Sequence, residues 1–269
     1  MTEKNNSGLP RLKDEQLSRI VFFMGGVRSG TTVFRRMMAS HALIRDRGEI
    51  FNSNNPLGYF KFLREQVAQD PDLIFPERSP EVFQAYLVSL LPKEPSAIAL
   101  LDIKYEHLTL LPEAWQMPFT NPPLLRSIKR SKVKVIHLRR QHFYSVVSNL
   151  VAVSTGRYHH RVGQDKALPE KRQVTIDKAQ LVSAMKKRRR ATDLIDSGLD
   201  DQQRLSIDYE TVFDEAGHFR LEVCQEVASF LGLDASFDRE PELRKVIDEP
   251  LSSLITNYHE IAELERNDN

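Results

Sequence analysis

Ile20-Val21-Phe22-Phe23-Met24-Gly25-Gly26-Val27-Arg28-Ser29-Gly30-Thr31-Thr32 is the stretch that decides the fold. Its first five residues form a continuous apolar run that stops at two glycines. The run is too short for a helix and has the character of a strand covered on both faces. Beyond the turn, Val33, Phe34, Met37 and Met38 give one apolar face to a helix running toward His41. The order is strand, tight turn, helix. A helix opening out of a glycine-rich turn presents free N–H groups and the positive end of its dipole, and both favour an anion. Thr31 and Thr32 add hydroxyl donors, and Arg28 adds a fixed charge with a fork of donors.

Gly25 and Gly30 have the G-x-x-x-x-G spacing of a nucleoside-triphosphate loop, but Thr31 stands where that loop has lysine. A loop for ATP or GTP needs the lysine for its β/γ-phosphates and the following Ser or Thr for Mg²⁺. The departure disfavours triphosphate hydrolysis. A smaller anion on the 5′ end of a nucleotide fits better.

Working outward, residues 79–91 open with Ser-Pro-Glu, a helix start. Residues 97–103 and 133–138 are apolar runs of strand length, the second followed by a helical pattern over 143–153. The proline-rich residues 112–123 read as a loop and 156–175 as an exposed connection. A long helix is expected over 177–197, ending at Gly198, then a short strand at 205–207 and a helix over 219–231 closed by Gly232. Two more helical stretches are expected near 241–248 and 254–265. Strands alternate with helices, which predicts an α/β fold with a central parallel sheet flanked by helices. Residues 1–19 read as a flexible segment and 20–269 as a single domain.

The chain has 269 residues, 41% hydrophobic and 28% charged, an ordinary globular mix. Lys plus Arg is 38 and Asp plus Glu is 37, so the net charge of +1 gives no sign of a nucleic-acid or membrane-surface protein. Any positive field is local. The single Cys224 excludes a disulfide within the chain and a cysteine-rich zinc site, and fits a reducing compartment. No apolar run approaches the ~20 residues of a membrane span. A soluble, cytoplasmic protein is expected.

Gly25-Gly26-Val27-Arg28-Ser29-Gly30-Thr31-Thr32, followed by an amphipathic helix, resembles the 5′-phosphosulfate loop of sulfotransferases that use 3′-phosphoadenosine-5′-phosphosulfate (PAPS). The Arg-Ser-Gly-Thr-Thr wording is that of the tyrosylprotein, trehalose and nodulation-factor enzymes. The stretch departs from the tyrosylprotein pattern in lacking the proline before the arginine. The resemblance implies a P-loop-like three-layer fold, with Arg28, Ser29, Gly30, Thr31 and Thr32 as cosubstrate-binding residues. A second block agrees. Arg140 at a strand end and Ser148 eight residues on resemble the family's 3′-phosphate block, and a phosphomonoester suits a guanidinium fork with a short hydroxyl. Arg139 is the adjacent competitor, but its partner eight residues on would be Val147, which cannot donate. Weaker likenesses lie at Tyr209-Glu210, at 155–158 and at 251–258. Only the first two blocks are specific.

Sulfuryl transfer needs a base for the acceptor proton, donors for the sulfuryl and departing phosphate oxygens, and an in-line acceptor. The resemblance implies a catalytic glutamate in a Gly-Glu setting, which falls on Glu49, and a transition-state lysine at a strand end, which falls on Lys104. With Arg28 these are the expected catalytic residues. Burial by Ile50 and Phe51 would raise the Glu49 pKa, while Arg45 and Arg47 would lower it. His41, His107 and His137 are rival bases; His41 reads as a helix-end cation and His137 as a packed core residue. The five cations from Lys186 to Arg190 circle more than one helical face and read as a solvated surface. No metal is expected, since no H-x-x-x-H, CxxC or paired-Asp signal is present. The expected partner is a small-molecule or glycan acceptor. The oligomeric state is open, a homodimer being one option. The alternatives are a P-loop-type kinase of a small metabolite and a non-catalytic nucleotide-binding scaffold.

Overall fold

The computed structural model describes residues 8–111, 122–156, 160–161, 173–241, 243–244 and 250–268. Its elements follow in chain order: α1 (Asp14–Leu17), β1 (Ile20–Gly25), α2 (Thr31–Ala39), β2 (Ile44–Glu49), α3 (Tyr59–Val67), α4 (Ser79–Ser89), β3 (Ile98–Lys104), α5 (Pro123–Ser131), β4 (Lys134–Arg139), α6 (His142–Thr155), β5 (His160–Arg161), α7 (Lys178–Gly198), β6 (Arg204–Asp208), α8 (Leu221–Leu231), β7 (Leu243–Arg244), α9 (Leu251–Leu254) and α10 (Tyr258–Arg266). Five strands form one sheet in the order β2-β3-β1-β4-β6, every neighbouring pair parallel. This is the α/β fold expected.

The apolar strands explain the layering. Successive side chains of a strand point to opposite faces. Ile20, Phe22 and Met24 of β1 enter a core shared with Phe83 and Tyr86 of α4 and Ile195 of α7. Val21 and Phe23 enter the core on the other face, with Phe34 and Met38 of α2 and Val227 of α8. A third cluster joins Phe143 and Val147 of α6 to Leu181 of α7 and Ile261 of α10. Ahead of β1, Leu9 is buried in the first of these cores. Among the described residues no helix is long and apolar enough to cross a membrane.

Among the elements not anticipated are one strand of the main sheet and two of the longer helices. Strand β2 is Ile-Arg-Asp-Arg-Gly-Glu, polar because it is an edge strand with one neighbour, and its pairing with β3 shifts register between Asp46 and Glu49. Helices α3 and α5 were also missed. The expected helix near 241–248 is corrected where that stretch is described, since Leu243–Arg244 pair antiparallel with His160–Arg161. The C-terminal helix begins at Tyr258 rather than 254, because buried Ile255 bridges Val174 and breaks the helical run. Most of the 112–123 loop and of the 156–175 connection lies outside the described residues.

Candidate active site

Parallel pairing puts the carboxyl ends of all five sheet strands on one rim. Their last residues are Gly25, Glu49, Lys104, Arg139 and Asp208. In an open α/β sheet this rim binds ligands where the strand order turns about, which here is beside the central strand β1.

The glycine loop leaves β1 at that point. Arg28 and Gly30 are left-handed, with φ of 65° and 84°. A left-handed arginine is strained by about 1–3 kcal/mol and persists only where its surroundings over-determine it. Gly30 caps α2 without any side-chain cap, so the helix start keeps donors for an incoming anion. Glycine at 30 is required by the protein itself. A Cβ there would stand 2.1 Å from Cε2 of Tyr209, whose ring packs over the turn.

The second block closes on this loop. Arg140 Nη1 donates to the Arg28 carbonyl at 2.6 Å, and Arg28 Nε donates to Ser148 Oγ at 3.4 Å. The Arg140 guanidinium lies 4.5 Å from the centre of the Tyr209 ring, a cation–π contact. Arg140 Nε is buried with no hydrogen-bond partner among the described residues. The same side chain lines an open groove of about 470 Å³ with Gln141, His142, Thr192 and Glu210. An unsatisfied cationic donor beside an open groove suits a bound anion. Arg139 is held elsewhere, by two bonds to the Asp208 carboxylate at 2.9 and 3.0 Å. Glu210 accepts from the Gln141 N–H at 3.1 Å, so the Tyr209-Glu210 pair touches both blocks. Of the weaker likenesses, residues 157–158 lie outside the described residues.

The other half of the rim is ionic. Strands β2 and β3 are neighbours, and Glu49 pairs with Asp102 in register. Asp102 and Lys104, two apart on β3, point to the same face. Lys104 Nζ lies 2.7 Å from Asp102 Oδ2, 2.5 Å from Thr31 Oγ1 and 3.5 Å from Glu49 Oε1. Lys104 is therefore buried and tied at once to the loop, to Asp102 and to Glu49. Arg35 from α2 reaches Asp102 at 3.1 Å and Asp46 at 3.1 Å. The Asp102 side chain is 0% exposed, and burial drives its pKa up against the pull of Lys104 and Arg35.

Burial also acts to raise the Glu49 pKa, but Lys104, the Asn52 side chain and Arg35 outweigh it, and the net shift is downward. The cations that lower it are not the two expected: Arg45 lies near Glu94, and Arg47 donates to the Leu90 carbonyl. Glu49 is ionised at neutral pH in this arrangement.

The histidines fall into place geometrically. His107 Nδ1 accepts the Lys104 N–H at 3.1 Å, and burial lowers its pKa. A neutral ring with Nδ1 accepting carries its proton on Nε2, so it has no free lone pair for an acceptor proton. His137 is fully buried, as expected, but it is also bonded. Its Nε2 is 2.8 Å from the Tyr105 hydroxyl and its Nδ1 3.1 Å from Asp196 Oδ1. Burial lowers the His137 pKa and pushes that of Tyr105 up to about 12, so Tyr105 donates to the ring and the ring donates to Asp196. His41 lies past the far end of α2, its Nε2 3.3 Å from Asp234.

The basic run needs one correction. Lys186, Lys187, Arg189 and Arg190 are exposed, but Arg188 is buried and its Nη1 donates to the Val27 carbonyl at 2.7 Å. Sequence reading also missed Asp102 and Arg35. The one available signal for Asp102 was a charge inside an otherwise apolar strand, two residues before a lysine. Among the described residues no group of three His, Cys, Asp or Glu is placed to hold a metal ion.

A sulfotransferase from Alicyclobacillus acidocaldarius superposes with a TM-score of 0.50 over 92% of this chain and 91% of its own, at 13% identity. The chain has the sulfotransferase fold. Two further solved structures are similar at lower scores. The sulfotransferase domain of the curacin biosynthetic pathway gives 0.49 at 17% identity, over 83% of this chain and 75% of that one. Mouse sulfotransferase SULT7A1 complexed with PAP gives 0.46 at 14% identity, over 100% and 75%. No protein-family model matches the chain, and no curated protein is similar to it by sequence.

Proposed function

We propose that this protein, with 20–269 as one domain, is a sulfotransferase that moves a sulfuryl group from PAPS to a hydroxyl, less readily an amine, of a carbohydrate, glycolipid or other metabolite. The single observation that carries this reading is the contact of Arg28 with both Arg140 and Ser148. Two anion-seeking blocks, distant in sequence, meet as one surface. The loop and the α2 N-terminus would hold the 5′-phosphosulfate, and Arg140 with Ser148 the 3′-phosphate.

In the proposed step, an acceptor hydroxyl beside Glu49 gives its proton to the carboxylate. The new S–O bond forms as the bond from sulfur to the 5′-phosphate oxygen breaks, and adenosine 3′,5′-bisphosphate leaves. Lys104 and Arg28 bear the charge on the sulfuryl and phosphate oxygens. Lys104 suits this role because it already spans the loop and Glu49. Drawing its ammonium toward the sulfuryl oxygens would loosen its hold on Glu49 and raise the basicity of that carboxylate when the proton must move. No step calls on a metal.

The test is transfer of radiolabelled sulfate from PAPS into hydroxylated acceptors, in EDTA. Label appearing in an acceptor, and none with Glu49→Gln, supports the reading. A protein that transfers phosphate from Mg·ATP and no sulfate would replace it with the kinase reading.

A further inference from the structure

Helix α7 carries Arg188, Thr192 and Asp196 at intervals of four, which sets them in one row. The whole row faces the rim. Arg188 Nη1 donates to the Val27 carbonyl at 2.7 Å, Thr192 Oγ1 lies 3.4 Å from the Tyr105 hydroxyl, and Asp196 Oδ1 lies 3.1 Å from His137 Nδ1. Gly26 sits against this row. A Cβ there would stand 2.9 Å from Arg188 Nη1 and 3.3 Å from Tyr105 Cδ2. Glycine at 26 therefore admits a guanidinium from within the protein.

On the other side, Arg140 holds the next carbonyl, that of Arg28, at 2.6 Å. Two guanidiniums from different elements thus grip consecutive loop carbonyls. Between those carbonyls lies the strained, left-handed Arg28. A trans peptide is planar, so its carbonyl and N–H point opposite ways. Fixing the Val27 carbonyl fixes the direction of the Arg28 N–H. A hydrogen bond from a charged donor is the stronger kind.

We propose that Arg188 is a positioning residue for the nucleotide: by holding the Val27 carbonyl it aims the Arg28 N–H at the 5′ end of the bound cosubstrate. The inference rests on the sulfotransferase reading above. Tyr105, His137 and Asp196 lock the row to the sheet, so the register of α7 is passed to the loop through Arg188.

The experiment compares wild type, Arg188→Met and Lys187→Met, an exposed neighbour on the same helix. Binding of adenosine 3′,5′-bisphosphate is measured by calorimetry, and the KM for PAPS and for the acceptor by sulfate transfer. Arg188→Met is expected to weaken the bisphosphate by about tenfold to a hundredfold, as loss of one charged hydrogen bond implies. The KM for PAPS rises in step, and the KM for the acceptor and all Lys187→Met values stay at wild type. A merely structural role would move both KM values together. Should Arg188→Met fail to fold, Arg188→Lys, which keeps the packed stem and loses the fork, is expected to shift binding the same way. Wild-type bisphosphate affinity in a folded Arg188 variant overturns the inference alone. A wild-type protein that ignores the bisphosphate overturns the sulfotransferase reading and this inference with it.

Discussion

The two halves of the rim are built on different physics. The half around β1, β4 and the loop, proposed as the nucleotide half, is held by shape and by fixed charge. Tyr209 fills the space over Gly30, and arginines grip the loop carbonyls. Guanidiniums stay charged at any working pH. The other half, at the end of β2 and β3 and proposed to face the acceptor, is held by a mixed cluster of carboxylates and cations. Asp102, Lys104, Glu49, Arg35 and Asp46 form one ionic cluster, with Asp102 fully buried. The first half is a preformed cradle. The second is a set of opposed charges, and the proposed step would shift their balance.

The largest effect that could break this division is on turnover. Glu49→Gln is expected to lower kcat by about 10²–10⁴-fold, the usual worth of a general base, and to leave bisphosphate affinity within a factor of about two. Turnover at the wild-type rate would remove the base from the acceptor half. Next comes the buried pair. Lys104→Met takes away the cation that offsets the burial of Asp102, and breaking a buried ion pair in this way costs about 3–5 kcal/mol. Denaturant unfolding reads this directly, and a change under 1 kcal/mol would show that the cluster is not coupled as described.

On the nucleotide side, Gly30→Ala meets both the left-handed backbone and the Tyr209 ring. A strained backbone costs about 1–3 kcal/mol and overpacking a similar amount, so bisphosphate binding should fall by at least tenfold. Adding Tyr209→Ala relieves the collision and should restore part of the stability, though not the cation–π contact to Arg140. A double variant no more stable than Gly30→Ala alone would mean the ring does not set the turn.

The pH response separates the halves most cleanly. Glu49 is held below its ordinary 4.5, so the folded chain binds that proton more weakly than the unfolded chain. Its contribution to stability is complete above the unfolded value and is lost as pH falls through the folded one. Asp102 runs the other way: its raised pKa makes its burial cost stability as pH climbs from the unfolded value through the folded one. The acid limb of kcat/KM, which reports the free enzyme, should therefore lie below pH 4.5. A limb in the ordinary histidine range, about 6.5, would take the base away from Glu49. The smallest effect is Tyr105→Phe, which removes one hydroxyl from the row under the loop and should cost about 0.5–1.5 kcal/mol in thermal unfolding.

The sequence announced the nucleotide half because its signals are local. An apolar central strand, glycines and an amphipathic helix lie within twenty residues of one another. Arg140 and Ser148 needed only the same strand-turn-helix grammar. The acceptor half was harder. Strand β2 is polar and sits at an edge, so no periodicity marked it. Glu49 was placed by likeness to a Gly-Glu setting, not by its strand. Asp102 looked like a stray charge, and its meaning depends on Arg35, 67 residues away in the chain. Arg188 was hidden in a run of five cations, since which one turns inward is fixed by how α7 packs, and no spacing rule states that.

The central claim is that one groove holds both phosphate-bearing ends of a single adenine nucleotide. The most direct measurement is calorimetric titration in EDTA with adenosine 3′,5′-bisphosphate, set against adenosine 5′-monophosphate and, separately, Mg·ATP. The account predicts tight binding of the bisphosphate, a large loss without the 3′-phosphate that Arg140 and Ser148 would hold, and no advantage for Mg·ATP. Equal affinity for the two adenosine phosphates, or binding of Mg·ATP alone, would contradict it.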